Sequence, residues 1–347
     1  MIWLTWRQLR IQAAAVYALV AAAAVTLAIT GPRLADLAKL DGSIFDRLTQ
    51  ADRNFFFTGV IAVAVAPAVI GIFWGAPMVA RELEAGTHRL VWNQSVTRTR
   101  WLATKLGVTA LAAAVAVGAL TLAVSWWSKP IDGALSDTNG SLPARMTPVT
   151  FAMRGITPIS YAVFALVLGV AIGLVVRRPV PAMAITLVVF IFVQIAVPLW
   201  VRPHLVPTAE QTVTFNRERL DGISINDNGP SSPMRITVNT GGPGNWVLSN
   251  QTVDATGRPT ALPAWMSDCL PPPPGPGEAD RAVVTQAGVD PIEACFTRLN
   301  AEGYRQRVVY QPAKHFWPLQ WAETGMFLAF SGLLAWFCFW WTRRRLM

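Results

Sequence analysis

The chain has 347 residues, of which 53% are hydrophobic and only 14% charged, with a mean hydropathy of +0.39. Soluble proteins average about 45–50% apolar and about 25% charged residues, so this composition excludes a disordered chain and argues against a soluble enzyme. The formal charge of +9 would point to a nucleic-acid partner only if the cations were gathered on one face.

Taken in chain order, six stretches contain no Asp, Glu, Lys or Arg. They cover residues 11–30, 54–80, 106–128, 155–176, 179–201 and 324–342. A helix that crosses a bilayer needs about 20 apolar residues, so all six qualify. The second run is longer than needed, and its excess is expected to leave the bilayer core or to kink at Pro67. The expected fold is an all-α polytopic membrane protein with helices at about 11–30, 56–80, 104–127, 156–176, 180–201 and 321–342. Helices 1–5 belong to a membrane domain over 1–201, and residues 343–347 form a tail. Tryptophans at segment ends, among them Trp101, Trp126, Trp200 and Trp340, suit the membrane–water interface. The first run follows Arg7 and Arg10 and also has the look of a signal peptide, but it exceeds the usual h-region of about 7–15 residues.

With six spans, both termini fall on one side. The loops of that side, namely the N-terminal segment, 81–105, 177–178 and 343–345, carry 12 Lys and Arg against 2 Glu. The remaining segments carry 17 Lys and Arg against 18 Asp and Glu. The positive-inside rule places the first set in the cytoplasm of a plasma-membrane protein. The positive charge is therefore a topology signal spread over four loops, and no nucleic-acid partner is expected.

Residues 31–53 and 129–154 read as outside loops, the first partly helical. The large outside segment 202–320 holds 15 of the 25 prolines. It shows β-type composition at 211–216, 234–238 and 246–253, and a short helix is expected within 290–304. This predicts a small, irregular α+β extracellular domain between helices 5 and 6. Cys269 and Cys295 both lie there, where an oxidising exterior permits a disulfide; the alternative is two free thiols. Cys338 lies inside the sixth run, where a small apolar residue suffices.

Much chemistry is missing. No G-x-x-x-x-G-K-[ST] sequence occurs, so the chain is not expected to bind or split ATP. His88, His204 and His315 are scattered, without metal-ligand spacing, and no metal site is expected. None of the six runs carries a charge of the kind that proton pumps and secondary transporters use at mid-membrane. Gln194 is the notable polar residue in a run, suited to a hydrogen bond with a neighbouring helix or to substrate contact. Phe55, Phe56 and Phe57 open the second span, where they could line an exit path or pack at the interface. Gly71/Gly75 and Gly169/Gly173 have the G-x-x-x-G spacing of close helix contact.

The cytoplasmic loop from 81 to 103 carries the functional argument. It holds the side's only two carboxylates, Glu82 and Glu84, then Gly86-Thr87 as a break and helix cap, the apolar patch Leu90-Val91-Trp92, and a second break at Ser95-Val96-Thr97. Thr97 or Thr99 could cap the third span. A short amphipathic helix so flanked suits either the membrane surface or a partner's groove.

This stretch resembles the first intracellular loop of ABC exporter permeases of the six-helix, type V branch. Glu82 and Glu84 match that family's acidic pair, and Gly86 and Thr87 its Gly-Thr. Leu90 falls on the hydrophobic position, Ser95, Val96 and Arg98 on the break, and Lys105 on the basic residue of the next helix. The string 75–101, with Trp92-Asn93-Gln94-Ser95, resembles actinobacterial members, as do 310–313 and 316–321. The resemblance implies a non-catalytic permease subunit that pairs with a second copy and docks two cytoplasmic ATPase subunits through a coupling helix. Glu82, Glu84, Gly86, Thr87, Arg89, Leu90, Trp92, Ser95 and Arg98 would carry the docking. ATP and Mg would bind the partner, with no cofactor in this chain. Residues 2–10 would be the family's interfacial connecting helix. The 202–320 domain is large for this fold. The cargo implied by the class is a hydrophobic compound such as a drug or lipid. A competing reading is an ATPase-driven signalling or mechanotransmission protein that acts through its ectodomain.

Overall fold

The computed structural model describes residues 2–40, 44–86, 97–137, 142–224, 235–239, 242, 244–269 and 291–345. They form two compact units. One comprises residues 1–206 with 314–347, and the other residues 207–313.

The first unit is a helical bundle. Its long elements are α1 (Ile2–Leu37), α2 (Gln50–Ile70), α3 (Ala76–Glu84), α4 (Arg98–Asp137), α6 (Thr157–Val176), α7 (Pro179–Ala196) and α9 (Phe316–Arg344); α5 (Pro148–Phe151) is one turn. Six helical segments are long and apolar enough to cross a membrane: Leu9–Leu37, Gln50–Glu84, Arg98–Ala134, Thr157–Val176, Pro179–His204 and Ala313–Arg344. The helices outrun the charge-free stretches. A helix continues through Lys or Arg as easily as through Leu, so charge does not mark its end. Residues 2–10 accordingly run on into α1 without a break, instead of forming a separate connecting helix. Residues 129–137, read as loop, continue α4 with Pro130 inside it.

Local chemistry sets several ends. Thr49 caps α2 in a reciprocal box with Asp52, whose carboxylate also faces Arg33 at 3.5 Å. The overlong second span bends its hydrogen-bond ladder at a π-helical stretch, Gly71–Gly75, that joins α2 to α3. Between α6 and α7 the chain turns in two residues: Arg177 adopts a left-handed φ of 58°, Arg178 is extended before proline, and Pro179 starts the next helix.

Helix α6 is the centre of the bundle. Its span is 72% buried, against 11% for that of α1. It packs on α2, α3, α4, α7 and α9, while α1 lies along α4. The approach of α6 to the π-helical stretch depends on glycine. A Cβ at Gly169 would stand 2.4 Å from Gly71 O and 2.7 Å from Ala76 N; one at Gly75 would stand 2.5 Å from Leu166 O. The two G-x-x-x-G pairs of the sequence thus meet each other inside one chain.

The second unit holds a three-stranded antiparallel sheet in the order β1-β5-β4, from β1 (Ala209–Val213), β4 (Trp246–Val253) and β5 (Arg305–Gln311). A two-stranded sheet pairs β2 (Leu220–Ser224) with β3 (Arg235–Val238). Helix α8 (Pro291–Ala301) covers the core with Phe296 and Leu299, against Val213, Phe215, Ile236 and Val308. Cys269 and Cys295 are bonded, with their Cα atoms 6.3 Å apart. Buried Gln306 ties the sheets: its amide donates to Ile236 O at 2.9 Å and to Asn250 Oδ1 at 2.6 Å. Strands β2 and β5 lie outside the stretches of β-type composition; β5, with Arg305 and Arg307 among its residues, is stabilised by pairing on both sides.

Candidate functional site

The loop 81–103 is framed by the end of α3 and the start of α4. Ala85 N donates back to Arg81 O at 3.0 Å, and Gly86 follows with φ +70°, the left-handed position that stops a helix at glycine. On the return, Thr97 caps α4 through its hydroxyl, which accepts from Arg100 N at 3.3 Å. Thr87, Arg89, Leu90, Trp92 and Ser95, with the short helix expected there, lie outside the described residues.

The two acidic residues separate. Glu82 turns inward and forms an ion pair with Lys105, which is 5% exposed; Glu82 is 15% exposed. The Lys105 ammonium also sits 5.0 Å from the Trp101 ring centre. Glu84 is exposed and Arg98 half-buried. Sequence matching named Glu82 and Lys105 as separate signature positions; the fold makes them one pair, so Glu82 is a brace between α3 and α4. A cleft of about 290 Å³ opens beside this pair, between Thr5, Leu9 and Gln12 of α1 and Met78 and Arg81 of α3.

The opposite end of the bundle is locked by groups that the charge-free runs exclude by one residue. Arg202 and Glu323 are fully buried. Arg202 Nε donates to Glu323 Oε2 at 2.7 Å and Nη2 to Oε1 at 3.0 Å. Tyr161 donates to the same carboxylate, and Arg202 Nη1 donates to Pro148 O at 2.9 Å. Gln320, one turn earlier on α9, accepts from the Ile156 and Thr157 amides at 3.0 Å and donates to Phe151 O at 3.1 Å. Nearby, Arg154 faces Asp132 at 3.6 Å. Burial draws the Arg154 guanidinium below its ordinary value, and the carboxylate works against that shift. The signal that could have found this lock is an arginine directly after the fifth run and a single glutamate directly before the sixth.

The path residues do not converge. Phe56 is buried with the Arg154 guanidinium 5.2 Å from its ring centre, Phe57 is exposed, and Phe55 and Gln194 are half-buried on different helices.

Residues 9–202 match the family model described as ABC-2 membrane transporter related. The match spans more than half of the chain, which therefore belongs to this family of transporter permeases. Membership carries with it an ABC ATPase partner in general, and with six apolar helices it fits a multi-pass plasma-membrane protein. No curated protein and no solved structure matches the chain.

Proposed function

We infer that this chain is the permease subunit of an ATP-driven exporter of the six-helix type V branch, in its actinobacterial group. The observation that carries the permease role is the family match over residues 9–202; the exporter type and its group rest on the resemblance of the 75–101 stretch. The basic set of loops supports cytoplasmic termini and an extracellular 202–320 segment. The helix stop at Gly86 supports a break in α3 at the start of segment 81–103, where an ATPase would dock and drive the switch between inward and outward access.

On this reading the permease acts as a homodimer, two ATPase subunits bind ATP and Mg, and this chain contributes no catalytic residue. Exposed apolar side chains along α1, α7 and α9, such as Leu19, Phe192 and Trp336, support faces turned to lipid or to the second permease. A hydrophobic drug or lipid is the cargo class. The disulfide-closed unit supports the second reading, a mechanical signalling protein, which predicts ATPase activity indifferent to any cargo.

The test is capture of the full chain from membranes in mild detergent, with identification of what co-purifies. A cytoplasmic protein with a phosphate loop is expected. Its absence across several detergents would overturn the docking role.

A further inference from the structure

The bundle contains a cavity of about 510 Å³ that the ATPase-docking reading does not use. Its walls are the last turns of α4, the start of α6 and the start of α9. Leu122, Ile156, Ile159, Phe316 and Trp317 give it an apolar body. Its size falls in the range of small-molecule sites, about 300–1,000 Å³.

Three polar side chains face it without a hydrogen-bond partner: Thr121 through Oγ1, Ser125 through Oγ, and Arg154 through Nη2. Arg154 is 3% exposed. Its Nη1 donates to Val124 O at 3.3 Å, Asp132 lies 3.6 Å from its Nε, and Phe56 stacks beneath it, so the guanidinium is held while Nε and Nη2 make no hydrogen bond. Other buried helix hydroxyls of the bundle bond back to the preceding turn, as Thr109 and Ser331 do at 2.6 and 2.7 Å, although Thr324 of α9 makes no such bond. Thr121 and Ser125 make none either. Buried polar groups are nearly always satisfied, so three orphans on one cavity wall ask for a common partner.

Charge states which partner. Lys129, Arg145 and Arg154 line the cavity against one carboxylate, Asp132, which itself accepts from Ser128 at 3.3 Å. A cation would meet a surplus of positive charge. An anion would accept from Arg154 Nη2 and both hydroxyls at once, through charge-assisted bonds to the buried guanidinium. We propose that this cavity binds an anionic amphiphile, a carboxylate or phosphate head at Arg154, Thr121 and Ser125 with an apolar chain along Ile159 and Trp317. A membrane lipid headgroup and a free amphiphilic acid share that chemistry.

Native mass spectrometry of the full chain in mild detergent tests it, with phosphatidylglycerol, palmitate and an uncharged diacylglycerol as probes. Phosphatidylglycerol, palmitate or both should bind about tenfold tighter than the uncharged diacylglycerol, the worth of one charge-assisted hydrogen bond. Arg154→Gln should remove that preference. Because Arg154→Gln removes the positive charge that faces Asp132, Ile159→Trp serves as the second variant; it fills the cavity, leaves the ion pair alone, and should abolish binding. Binding of phosphatidylglycerol alone names a lipid as occupant, and of palmitate alone a free acid. Equal binding of the diacylglycerol, no binding of either anion, or anion binding that survives Ile159→Trp would overturn the proposal.

Discussion

Arg202 and Glu323 stand 121 positions apart in the sequence and meet through two hydrogen bonds, with both side chains fully buried. The pair fastens the end of the span Pro179–His204, beyond α7, to the first turns of α9, and Tyr161 brings in α6. A buried pair gains little over well-packed apolar residues, but breaking one leaves an uncompensated charge that costs about 3–5 kcal/mol.

Arg202→Met and Glu323→Leu should therefore each lower the melting midpoint of the purified chain sharply. The double variant should fall well short of the sum of the two losses. Thermal melts of the four proteins in one detergent decide it: an additive double variant would mean that the residues act separately.

Glycine makes a second prediction. A methyl at Gly169 would lie 2.4 Å from Gly71 O, so Gly169→Ala must push α6 away from the π-helical stretch. Overpacking of this kind costs about 1–3 kcal/mol. At Gly107 and Gly325 a Cβ meets nothing within 4 Å, and alanine there should be neutral or stabilise the helix by up to about 1 kcal/mol. Melting of the three variants checks the contrast. Equal effects at all three sites would remove the close-contact account.

Six apolar runs, the α+β segment between the fifth and sixth, and the Gly-x-x-x-Gly spacings are legible in the sequence because each is a local pattern. The polar contacts are not. Arg202 and Glu323 sit at the first position outside their runs, where a charge ordinarily marks the end of the membrane segment. Nothing local says that Glu323 meets Arg202 and Tyr161. The same holds for Glu82: a signature position and a buried brace look alike until Lys105, 23 residues on, is folded against it. The cavity at Arg154 was hidden for a further reason. Its walls come from three separate helices, and residues 129–137 read as loop because of Pro130 and Gly133.

The disulfide gives a third prediction. By the chain-entropy model, closing the 26-residue separation between Cys269 and Cys295 stabilises by roughly 3–4 kcal/mol. The bond ties α8 to the short turn Ala264–Cys269 at the hydrophobic core of the strand-containing unit. Reduction, or Cys269→Ser with Cys295→Ser, should lower the melting of that unit while the helical bundle keeps its own transition. A single transition that does not move on reduction would contradict it.

The fourth prediction separates docking from bracing. Glu84 is the exposed last residue of α3, two positions before Gly86. Glu82 instead balances Lys105 in a nearly buried pair. Glu84→Lys should weaken ATPase capture several-fold and leave melting unchanged, because a rim charge mainly tunes encounter with a partner. Glu82→Lys places two ammonium groups together beside Trp101, and should lower melting by an amount comparable to breaking a buried pair, about 3–5 kcal/mol. Any loss of capture in that variant then follows from lost structure. Lys105→Glu added to Glu82→Lys restores opposite charges and should recover both melting and capture, whereas no second change at Lys105 can rescue Glu84→Lys. Capture and melting are read on the same four preparations. If Glu82→Lys abolishes capture with melting intact, Glu82 contacts the ATPase directly and the brace is not its main role. If Glu84→Lys leaves capture unchanged, the acidic end of α3 is not part of the docking surface.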